Sequence, residues 1–157
     1  MNSALMFSKA TDEWATPQGL FDSLNDEFDF AIDLAATDAN RKCPLYVGPD
    51  HRWGSNWSDY LTFWTDGTCA WLNPPYSQCR AFIGKAAQDA KNGCTVVCLV
   101  PSRTDARWWH EHVWDASTNA YRPGVEVRFI KGRLKFGNSK NSAPFPSVVI
   151  IFRPVQP

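Results

Sequence analysis

The sequence predicts an α/β domain with a mostly parallel sheet, helices on both faces and an antiparallel pair of strands at one edge. Three observations carry this. Thr68–Leu72 and Cys94–Val100 are apolar runs that read as strands buried on both faces. Helical stretches at Pro17–Glu27, Ser77–Lys91 and Asp105–Trp114 alternate with the strands. The last two apolar runs, Val125–Ile130 and Val148–Phe152, are joined by a polar loop rich in Gly, Asn and Ser, which suits an antiparallel return.

Each element has a local reason. Thr16 offers a helix cap, and Pro17 occupies the first helical position, where its fixed φ is favourable. Phe28–Ala35 reads as a short strand that ends in small residues. Residues 37–68 are rich in turn formers and predict loops with one or two short strands. The strand at 68–72 must stop at Asn73-Pro74-Pro75, because two prolines cannot continue a central strand. Ser77 is placed to cap the following helix, which ends at Asn92-Gly93.

With 157 residues, 44% of them hydrophobic and 20% charged, the chain is expected to be one domain, 1–157, with a proper core. No apolar run approaches the roughly 18 residues of a membrane span. The start shows no secretory signal, and five Cys without framework spacing predict a reduced, cytoplasmic protein. Eight Trp serve core packing or the stacking of a planar ligand. The net charge is zero but unevenly spread: residues 1–100 hold 7 Lys/Arg and 12 Asp/Glu, whereas residues 101–157 hold 9 and 4. A basic C-terminal third suits a surface that contacts a nucleic-acid backbone, although an ordinary mixed surface has the same composition. The Cys and His spacings predict no zinc site.

Asn73-Pro74-Pro75-Tyr76 carries the sharpest chemical signal. In such sheets ligands bind beyond the carboxyl ends of strands, where this segment and Asp33-Leu34-Ala35-Ala36-Thr37 fall. An amino group conjugated to a purine is a poor nucleophile, because its lone pair is delocalised. Two acceptors around the NH2 favour the tetrahedral geometry that attack on a methyl group needs. The Asn73 side-chain oxygen and the Pro74 carbonyl supply two, Pro74 and Pro75 stiffen the backbone that holds them, and Tyr76 offers a flat face for a base. A Pro-Pro turn with Tyr76 in the core is the plainer reading of the same residues.

Asn-Pro-Pro-Tyr is similar to the active-site motif of amino-methyltransferases, and the chain resembles the phage-type DNA N-6-adenine methyltransferases. The resemblance rests on Trp14–Pro17, Phe30–Thr37, Leu72–Ser77, Val100–Asp105 and Ala143–Ser147, in that order over nearly the whole chain. It implies a Rossmann-like class I methyltransferase fold, S-adenosylmethionine as methyl donor, DNA as partner and a phage or prophage origin. Asn73, Pro74, Pro75 and Tyr76 would be catalytic. Thr16, Pro17, Asp33, Ala35 and Ala36 would bind the donor, with Asp33 near its cationic methionine end. The plainer alternatives are Thr16 as a simple helix cap and Asp33 as a strand-end residue held by turn amides. The donor loop has Ala-Ala-Thr where many methyltransferases have glycines. Asp50, Asp59 and Asp66 are the candidates for the donor's ribose and adenine.

The target base must leave the duplex to reach such a site. Phe136 is a candidate to stack on it, and Arg133 and Lys135 to hold phosphates. The alternative is a solvated hairpin with one packed Phe. Arg103 and Arg107 face the same cleft or pair with surface carboxylates. The chain leaves little room for a separate target-recognition domain, so recognition would come from loops 37–68 and 132–147 or from a dimer partner. Protein glutamine, RNA adenine or cytosine N4 are alternative acceptors, although cytosine enzymes more often carry Ser at position 73. A non-catalytic nucleic-acid-binding relative is the remaining alternative.

Overall fold

A computed structural model describes residues 15–48, 67–137 and 140–155. Among them, helix α1 (Gln18–Phe28) precedes strand β1 (Ile32–Asp33). Strand β2 (Cys69–Leu72) follows, then a 3-10 turn (Tyr76–Gln78), helix α2 (Cys79–Lys91) and strand β3 (Thr95–Pro101). Helix α3 (Arg107–His112), a small hairpin of β4 (Trp114–Asp115) and β5 (Ala120–Tyr121), then β6 (Val125–Phe129) and β7 (Ser147–Phe152) complete the order.

The main sheet has five strands in the order β1-β2-β3-β7-β6. β1, β2 and β3 are parallel, while β7 runs antiparallel to both β3 and β6. The sheet is therefore mixed, which corrects the mostly parallel sheet expected from sequence. The final strands do pair antiparallel, but β7 inserts beside β3 and is an interior strand. Its six residues, Ser147–Phe152, are all buried, so its apolar run reflects two covered faces.

Strand alternation divides the core into two clusters. Ala70, Leu72, Val96, Cys98, Val100, Val148 and Ile150 point to one face and pack on Ile83 and Ala86 of α2 and on Trp108 and Trp109 of α3. Trp71, Val97, Leu99, Val149 and Ile151 point to the other. There they meet Phe21 and Leu24 of α1, Phe30, and Phe136, Ala143 and Phe145 from the loop before β7. Helices do cover both faces. Phe21 and Phe30 lie 5.4 and 5.5 Å from the Trp71 ring, so this tryptophan serves the core.

Several local expectations change. Pro17, not Thr16, sits at the N-cap of α1, and no side chain caps that helix. The helix runs to Phe28, where Asp29 in the left-handed region (φ 53°) ends it, so the first strand shrinks to Ile32–Asp33. Ser77 lies within the 3-10 turn and Gln78 takes the cap position of α2. α3 is shorter than expected because Trp114 begins the hairpin, its ring edge-on to Tyr121 at 5.0 Å. Tyr46 makes one parallel bridge to Asp33. Asp50, Asp59, Asp66 and Trp14 lie outside the described residues.

Candidate active site

The parallel strands β1, β2 and β3 end on one side of the molecule, and the described parts of the five resembling segments gather there. Beyond Leu72 the chain turns out of the sheet through Asn73, Pro74 and Pro75. The Gln78 N–H donates to the Pro75 carbonyl at 2.9 Å, closing the 3-10 turn that carries Tyr76. Pro75 adopts φ −56° and ψ 125°, the extended geometry that proline favours.

The Asn73 amide is tied to the segment before α1. Its Nδ2 donates to the Thr16 hydroxyl at 3.1 Å, and Thr16 is buried. The other end of the amide, the buried Oδ1, is turned away from Thr16. Thr16 thus supports Asn73 instead of capping α1.

Tyr76 stands at the seam between the two core clusters and packs on both. Its ring meets Phe145 edge-on at 5.2 Å and Phe136 at 6.2 Å. Burial pushes its hydroxyl well above the usual tyrosine range. Phe136 is 3% exposed and lies behind Tyr76, tilted against Phe145 at 6.1 Å. Its loop is pinned to the same corner by Gly137 N–H donating to the Ala15 carbonyl at 2.9 Å. The Ser102 N–H donates to the Pro146 carbonyl, joining the end of β3 to the Pro-Phe-Pro turn. Above that turn the exposed Arg103 guanidinium lies 5.9 Å from the Phe145 ring centre. Phe145 had no assigned role in the sequence reading, although an aromatic between two prolines in a polar loop was the available signal.

Asp33 is 2% exposed at the end of β1. Its Oδ1 accepts from the Ala35 N–H at 3.3 Å and its Oδ2 from the Lys42 N–H at 3.0 Å. Burial raises the carboxyl to about 6, opposed by those two amide bonds and by the Lys42 charge. Asp33 therefore does hold the turn through its amides, and it also faces a cavity.

That cavity measures about 290 Å³ and is walled by Thr16, Asp33, Ala35, Ala36, Asn73 and Pro74, among others. It also takes in Asn40, Lys42, Gln78 and Phe82, which sequence reasoning did not single out. Arg133 and Lys135 are exposed on the loop that carries Phe136. Arg107 is engaged with Glu111 at 2.7 Å, in the surface salt bridge that was its alternative role.

Known proteins share this sequence pattern. Residues 4–157 match the family model described as DNA N-6-adenine-methyltransferase (Dam). The chain belongs to this family. It is accordingly an enzyme of the class that methylates N6 of adenine in DNA. A DNA N-6-adenine-methyltransferase of Haemophilus phage HP1 (strain HP1c1) is 27% identical over 149 residues, covering 93% of this chain and 81% of that protein. Another, from Escherichia phage T1, is 25% identical over 152 residues. That match spans 85% of this chain and 61% of the T1 protein. Among the described residues no helix is long and apolar enough to cross a membrane.

Proposed function

We propose that the cavity between β1 and the Asn73–Tyr76 turn binds S-adenosylmethionine, and that the turn presents an extruded DNA adenine to it. The carrying observation is the Asn73–Thr16 bond, which joins the predicted amine-binding residue directly to the predicted donor wall at 3.1 Å. The wall suits the donor. Its volume of about 290 Å³ is near the lower end for small-molecule sites. Ala35 and Ala36 contribute only methyl groups, so the loop does without glycines. Asp33 and Lys42 give the described wall one acidic and one basic group for a zwitterionic amino-acid end.

S-adenosylmethionine, when bound, supplies an electrophilic methyl group. The protein's part is positional and electrostatic. Asn73 Oδ1 and the Pro74 carbonyl accept hydrogen bonds from the adenine amine and favour its tetrahedral form. Pro74 and Pro75 hold those acceptors without reorganisation. Tyr76 stacks on the base, with Phe136 and Phe145 fixing its ring. The departing amine proton goes to solvent. Arg103, Arg133 and Lys135 contact phosphates around the extruded base.

The test is transfer of labelled methyl from S-adenosylmethionine to unmethylated duplex DNA, to RNA and to bulk protein, with the modified base identified by mass spectrometry. N6-methyladenine in DNA is expected, and its rate of formation should fall strongly in Asn73→Ala. Label confined to RNA or to protein glutamine would replace this reading with those acceptors.

A further inference from the structure

Lys42 is the one cationic residue in the described lining of the donor cavity, and Asp33 the one acidic. The two are held apart by different partners. Both Asp33 carboxylate oxygens accept backbone N–H bonds, one of them from Lys42 itself. The Lys42 ammonium is held instead by the neutral side-chain oxygen of Gln18, at 2.8 Å in the first turn of α1. Among the described residues no ion pair within 4 Å involves Lys42. It is half-buried, so its charge is less screened than that of an open surface lysine.

We infer that Lys42 recognises the α-carboxylate of the methyl donor and selects for ligands that carry the amino-acid end. This rests on the donor-cavity reading above. Charge balance favours it. A zwitterion brings a carboxylate and an ammonium into the cavity, and the wall offers one fixed charge of each sign. The ligand's carboxylate is repelled by Asp33, which carries the same charge. Lys42 has a donor to give, since an ammonium carries three N–H bonds and Gln18 uses one. It also lies beside the start of α1, where the helix dipole favours an anion. Gln18 thus holds the ammonium beside the start of α1 without neutralising it.

The experiment is calorimetric binding of two ligands without DNA: S-adenosylhomocysteine, and 5′-methylthioadenosine, which lacks the amino-acid end. Lys42→Met removes the charge and keeps the aliphatic stem, whereas Lys42→Arg keeps the charge. Lys42→Met should weaken S-adenosylhomocysteine by about tenfold or more, as expected for loss of a charge-assisted bond. It should leave methylthioadenosine unchanged, and Lys42→Arg should recover much of the loss. Equal weakening of both ligands would overturn the inference, since Lys42 would then only shape the loop. Unchanged S-adenosylhomocysteine affinity with weaker, less salt-dependent DNA binding would overturn it in favour of a phosphate contact. Failure of the wild-type protein to bind either ligand would instead remove the donor-cavity reading itself.

Discussion

The two faces of the sheet are covered by different means. One is packed by α2 and α3, whose apolar residues recur at helical spacing. The other is packed by α1 and by an irregular stretch that supplies Phe136, Ala143 and Phe145. On the helical face Ile83 and Ala86 are fully buried, while Phe82 of the same helix reaches the cavity wall. The irregular face must also hold Tyr76 at the seam. A loop suits that task because its backbone can bring rings in from directions a helix face does not offer, at the cost of needing separate ties. Those ties are Gly137 to Ala15, Ala143 to Leu134 and Ser102 to Pro146.

Truncating one anchor on each face would break this contrast or sharpen it. Phe145→Ala and Ile83→Ala should both destabilise, the first by about 3–5 kcal/mol and the second by about 2–5 kcal/mol, read from urea unfolding. Only Phe145→Ala should also lower turnover per folded molecule, because it frees the Tyr76 ring. Equal loss of turnover in both variants would mean that the irregular face has no special link to the site.

Asn73 tests the rigid turn itself. Asn73→Ala should slow single-turnover methyl transfer by roughly 10²–10³-fold, by analogy with the loss of one preorganised donor or acceptor. Donor affinity measured by calorimetry should change little. A near-normal rate would take Asn73 out of the chemistry and leave only its tie to Thr16.

Asp33 gives a pH signature on the cavity side. Its carboxyl is raised from 3.8 to about 6 by burial. The folded state therefore holds the proton more tightly than the unfolded state between about pH 4 and 6. Stability from this group falls as pH rises through that window and is level above it. Donor affinity should move the other way, rising between about pH 5 and 7 as the carboxylate ionises opposite a cationic ligand. Asp33→Asn should flatten both curves. A wild-type donor affinity that stays level across the same range would show that Asp33 only holds the turn.

The smallest effect is expected from the exposed end of the irregular face. Arg133→Ala with Lys135→Ala should lower the salt slope of DNA binding by roughly 0.9 for each phosphate that is no longer neutralised. Donor affinity should stay intact. An unchanged slope would place the DNA-binding surface away from this loop.

How far the sequence could be read differs between these regions. The Asn73–Tyr76 turn was legible because proline's fixed ring and missing N–H constrain the backbone wherever they occur. β3 and α2 were legible from long, strongly patterned runs. β1 was overextended because Phe28 and Phe30 look like strand residues, yet one ends a helix and the other packs on Trp71. Phe136 was read as a candidate stacking face, but its exposure depends on what lies behind Tyr76. Phe145 and Lys42 were not singled out because their contacts, to Tyr76 and to Gln18, are with residues distant in the chain.

By itself, the sequence determined the alternation of helices and strands and the stop after Leu72. These depend on backbone sterics and on local hydrophobic period, which act within a few residues. The tertiary structure decided that β7 would insert antiparallel beside β3. It also decided that Thr16 would serve Asn73 instead of its own helix, and that Asp33 and Lys42 would face one cavity. Those outcomes depend on which distant surfaces bury each other and which buried polar groups find partners. Such choices are settled only when the whole core closes.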